Sequence, residues 1–151
     1  MQQLTDEDAA KLYTLALRLL TSPLESNQHT QLLVGQLPEG FPEEMSFPQN
    51  TNIIGCILRS RESFQAIFEV AMPAHEVLMF YRQALAEVGK ELKIGIAPHS
   101  AERLQRLKDT SLRFRVNQSW KDVLVTVAPL SNDLTDLRLT ISKPGIPKRS
   151  Q

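Results

Sequence analysis

Cysteine occurs once in this chain, at Cys56, so no intramolecular disulfide can staple the fold. A single thiol fits a reducing compartment. Histidine is scarce as well. His29, His75 and His99 stand far apart, and no His-x-x-x-His or Cys-x-x-Cys spacing occurs, which removes the common zinc signatures. The glycines are Gly35, Gly40, Gly55, Gly89, Gly95 and Gly145. None forms Gly-x-Gly-x-x-Gly or a Walker pattern, and Gly89-Lys90 follows a helical stretch where a phosphate cradle needs the start of one. Apolar runs stay far below the ~20 residues of a membrane span. The opening Met1-Gln-Gln-Leu-Thr-Asp-Glu-Asp is acidic and carries no basic region ahead of an apolar one, which argues against a secretory signal. The expectation is a cytoplasmic chain with no membrane span.

These gaps leave little for catalysis. Cys56 with His75 or His99 comes nearest to a nucleophile and base, but Cys56 lies in an apolar strand-like run, where a free cysteine acts as a small hydrophobe. Asp6-Glu7-Asp8 is explained by helix capping, and Glu43-Glu44 falls in a proline-rich segment. General acid–base work needs carboxylates held rigidly in a shared pocket. The reading is therefore no enzyme, no cofactor, no metal and no catalytic residue.

What is present describes a folded domain. The 151 residues suit one domain, long enough to hide roughly 68–70% of the surface the unfolded chain exposes. Apolar residues at 42% and charged residues at 23% exclude a disordered composition. The organising stretch is Ser63–Gly89. Phe64, Ala66, Phe68, Val70 and Met72 alternate with Gln65, Ile67, Glu69 and Ala71, the period of a strand. Pro73 then opens a helix, placed over residues 73–88, whose face is Val77, Tyr81, Ala84, Leu85 and Val88, with Gly89 as its stop.

Around this stretch the chain reads in order. Thr5 is an N-cap for a helix over about 6–20, with Asp6, Glu7 and Asp8 at the positive end of its dipole and a leucine-rich stripe along it. Leu24–Thr30 is polar and fits either a short helix or a loop. Leu32-Leu33-Val34 suggests a short strand. Pro38, Gly40, Pro42 and Pro48 make residues 36–50 an extended connector that cannot join a central strand. Thr51–Arg59 is strand-like, and a tight turn at Arg61-Glu62 makes a hairpin with Ser63–Met72. A strand over Glu91–Ala97 and a loop over Pro98–Lys108 come next. Three alternating strands then occupy Thr110–Asn117, Lys121–Ala128 and Thr135–Ser142. The fold class expected is α+β: a two-layer sandwich with a mostly antiparallel sheet, the 73–88 helix packed on one face, and an N-terminal helix. The domain spans 1–143, and 144–151 is a flexible tail.

Net charge is zero, yet residues 1–89 hold 5 Lys/Arg against 11 Asp/Glu, and residues 90–151 hold 12 against 6. Two surfaces stand out as binding candidates. Arg113 and Arg115 share one side of a strand, and Arg138 joins them from another; guanidinium groups so placed contact acidic partners. Phe41, Met45 and Phe47 stand between prolines in the connector, and pre-ordered extended segments lose little entropy on docking. Alternatively, the connector and the first helix complete the domain's own core. A non-catalytic protein-interaction domain, with a protein partner or a second copy, is the leading expectation. A small apolar ligand held between the 73–88 helix and the sheet, lined by Phe64, Phe68, Tyr81 and Phe114, is the alternative. Nucleic-acid binding through the basic face is weaker still, because reading single strands takes exposed rings; Phe64, Phe68 and Phe114 fall in the buried register, which leaves Trp120 and Tyr81 as the alternatives.

Overall fold

The computed structural model describes residues 5–20, 30–42, 45–60, 63–93, 109–116 and 121–142. Among these the order is α1 (Asp6–Leu20), β1 (Gln31–Val34), β2 (Thr51–Ser60), β3 (Ser63–Val70), α2 (Ala74–Ala86), β4 (Gly89–Leu92), β5 (Ser111–Val116), β6 (Lys121–Ser131) and β7 (Leu134–Ser142). The expected turn at Arg61-Glu62, the Leu24–His29 stretch, Pro98–Lys108 and the 144–151 tail lie outside the described residues. The strands form one antiparallel sheet of order β1-β2-β3-β7-β6-β5-β4. The α+β class is therefore as expected, with α2 packed on the sheet.

Alternation builds the two faces of this sheet. Phe64, Ala66, Phe68 and Val70 of β3 are buried, and register places them beside Ile141, Leu139, Leu137 and Thr135 of β7. Val123, Val125 and Val127 of β6 and Leu112, Phe114 and Val116 of β5 continue the same apolar face. The β-branched and aromatic residues enriched in strands thus line one side. On that side α2 lies over β4–β7 and buries Val77, Leu78, Tyr81 and Leu85.

The β1–β3 half of this face has a different cover. The connector folds over it, with the Phe41 and Phe47 rings stacked at 5.7 Å between centroids. Phe41 meets Phe64 at 5.9 Å, and Phe47 meets Phe68 at 5.1 Å. Met45 is only 7% exposed. The Tyr81 hydroxyl donates to the Ser46 carbonyl at 3.0 Å, which ties α2 to the connector. Proline keeps this segment out of the sheet, but its side chains still find an apolar surface to cover.

Helix ends differ in detail from expectation. Thr5 does cap α1, its hydroxyl accepting the Asp8 N–H at 3.0 Å. Pro73 sits one residue before α2, with an extended ψ of 146°, and the helix ends at Ala86. Gly89 therefore does not stop the helix; it opens β4. A Cβ there would collide with the Arg115 carbonyl oxygen and come within 3.0 Å of the Val116 Cα, so glycine is needed for β4 to approach β5. Gly55 plays the same part between β2 and β1, where a Cβ would strike the Leu33 carbonyl oxygen. It lies at a β-bulge, beside the register shift between Ile53 and Gly55. Among the described residues, no helix is long and apolar enough to cross a membrane.

Candidate functional site

The face of the sheet opposite α2 carries the arginines. On β5, Arg113 and Arg115 alternate with the buried Leu112, Phe114 and Val116, so both project outward. Arg138 lies on the same face of β7, across from Thr126 of β6. One strand separates it from β5, a distance of roughly 10 Å. The three residues thus share a face, and each has an acidic neighbour. Asp122 lies directly across from Arg115 and receives both arginines, with contacts of 3.3 Å to Arg115 Nε and 3.5 Å to Arg113 Nη2. Arg138 Nε donates to Asp136 Oδ2 at 3.1 Å. Glu69 lies beside Asp136 in register. The face is a patchwork of both signs, and its ion pairs are half exposed and worth at most about 1 kcal/mol each.

Asp136 and Arg138 stand two apart on one strand, so their shared side was legible from alternation. Asp122 was not, because its place opposite Arg115 depends on the β5–β6 register.

Phe41, Met45 and Phe47 point inward rather than out. Of the two readings the sequence offered for the connector, docking surface or completion of the domain's own core, the placement follows the second: Met45 is in the core, and Phe41 and Phe47 pack against it over the β3 rings. The reason is supply and demand. Among the described residues α2 packs mainly on β4–β7, and the apolar face of β3 would otherwise be wet. The rings Phe64, Phe68, Tyr81 and Phe114 belong to the same core cluster, none of them more than 6% exposed.

Cys56 is 3% exposed and packs opposite Ala66. Burial pushes its thiol from 9.0 up to about 11, so it stays protonated at neutral pH. His75 lies on the exposed first turn of α2, and His99 is outside the described residues.

α1 is placed differently from every other element. Among the described residues it meets the sheet chiefly at the edge strand β1, where the Tyr13 hydroxyl accepts the Leu32 N–H at 3.1 Å. Tyr13, Ala16 and Leu17 are half-buried. Leu12 and Leu15, on the other side of the helix, remain 53% and 54% exposed. The stripe that the sequence offered as either core or contact surface is thus divided, with one flank against β1 and the other in solvent.

No family model matches this chain, and no curated protein or solved structure is significantly similar to it.

Proposed function

We propose that the chain is a non-catalytic binding domain that associates with protein through α1. The observation that carries this reading is the pair Leu12 and Leu15, more than half exposed on a helix whose other flank is anchored to β1. Apolar surface gains about 25 cal/mol for each Å² removed from water, and two adjacent exposed leucines on an ordered helix form a ready contact. A helix presenting residues i and i+3 to a partner is a common recognition mode. The other two candidate surfaces support the reading less well. The connector's rings are occupied with the core, and Asp122 and Asp136 offset the arginines. The buried, protonated Cys56 suits a reducing compartment such as the cytoplasm. No cofactor enters this reading.

The test is affinity capture from native extract, at low and high salt, with the tagged full chain and its Leu12→Asp/Leu15→Asp variant. The expected result is a protein, the chain's own untagged copy included, retained by the former and lost by the latter. Equal retention by both would move the contact off α1. Retention of nothing specific at either salt would refute the binding-domain reading.

A further inference from the structure

We infer that the occupant of the exposed α1 stripe is α1 of a second copy of this chain, packed antiparallel across a two-fold axis. The inference rests on the reading of α1 as the contact element and names its partner. Leu12 and Leu15 are one turn apart and more than half exposed, so this part of the stripe lies in solvent and is not covered by its own sheet. A two-fold contact requires a self-complementary surface, and α1 offers one. When Leu12 of one copy meets Leu15 of the other, the reverse contact forms at the same time.

Charge selects the antiparallel sense. The first turn of α1 carries Asp6, Glu7 and Asp8, and its last turn carries Arg18. Glu7 and Arg18 are three turns apart, which places them on one flank of the stripe. In an antiparallel pair with that leucine register, Glu7, which bridges Lys11 of its own helix at 3.5 Å, lies about 3 Å along the axis from the level of Arg18 of the other copy, within reach of that long side chain, and the helix dipoles oppose. A parallel pair would set acidic turn against acidic turn. The formal net charge of zero leaves no overall repulsion between copies. A contact of one 15-residue helix with its copy is small, below the roughly 1,200 Å² of standard interfaces, so the dimer dissociates at dilution.

Sedimentation equilibrium of the full chain, from about 1 μM to about 1 mM, reads this directly. The weight-average mass is expected to rise from 17.1 kDa toward twice that value. Leu12→Asp/Leu15→Asp should hold it at the monomer across the range, with an unchanged melting curve because both side chains are exposed. Glu7→Lys alone and Arg18→Glu alone should each weaken association by about tenfold, and the double swap should restore it. A monomer at every concentration would overturn the inference, as would a dimer indifferent to Leu12→Asp/Leu15→Asp. A monomer that still loses a different captured protein on Leu12→Asp/Leu15→Asp would overturn self-pairing alone and leave α1 as the contact element.

Discussion

Replacing Tyr81 by Phe removes one oxygen from the junction of α2, connector and sheet. The ring is fully buried, so packing is kept and only the hydrogen bond to the Ser46 carbonyl is lost. Ser46 is exposed, so water reaches that carbonyl and the full penalty of an orphaned acceptor does not apply. The cost at neutral pH is therefore about 1 kcal/mol, read as a fall of roughly 2–4 °C in Tm. In a urea titration the midpoint should drop with no change in slope. A second signature lies at alkaline pH. Burial raises the Tyr81 phenol above its ordinary 10.0. Above that pH the unfolded chain releases the phenolic proton and the folded chain keeps it, so stability is lost as pH rises. The slope is about 1.4 kcal/mol per pH unit, and the Phe variant lacks it. The advantage of the parent over Tyr81→Phe should accordingly shrink from about pH 10 and vanish by about pH 11. Urea melts of both proteins between pH 7 and 11 make the comparison, and the other titrating groups cancel in the difference. A stability gap that stays constant over that range, or no gap at pH 7, would refute this account of the junction.

Other consequences follow from single contacts. Gly55→Ala should cost about 1–3 kcal/mol by forcing its Cβ against the Leu33 carbonyl, and hydrogen exchange should show β1 losing protection before the rest of the sheet. Asp122→Asn should change stability by no more than about 1 kcal/mol despite freeing two arginines, because those pairs are half exposed; chemical denaturation checks it. The Cys56 thiol should resist an aromatic disulfide reagent at pH 8 in the native state and react at once in denaturant. Because its folded value is raised, the stability it contributes is whole below pH 9 and falls through pH 11, and Cys56→Ala should flatten that part of the pH profile.

Much of the fold was readable because its signals are local. The alternation of Phe64, Ala66, Phe68 and Val70 announces both a strand and its buried side. Thr5 and the acidic turn after it mark the start of α1 to the residue. The arginine positions were equally readable, since Arg113 and Arg115 share a parity, but the carboxylate between them was not. Gly89 misled for an instructive reason. Glycine after a helical run usually marks a helix stop, yet here it is demanded by the backbone of β5, a strand more than twenty residues later.

Sequence alone determined the α+β class, the identity of the strands and helices, and which residues face a core, because period 2 and period 3.6 are written in neighbouring residues. The β2–β3 hairpin was legible locally, but only the tertiary structure decided the full order β1-β2-β3-β7-β6-β5-β4, since the β3–β7 pairing joins residues about seventy apart and no local pattern encodes it. It also decided that the connector would pack over the β3 rings while Leu12 and Leu15 stayed in solvent. Both are apolar segments, and which of them meets the sheet depends on where the chain path brings it, not on its own composition.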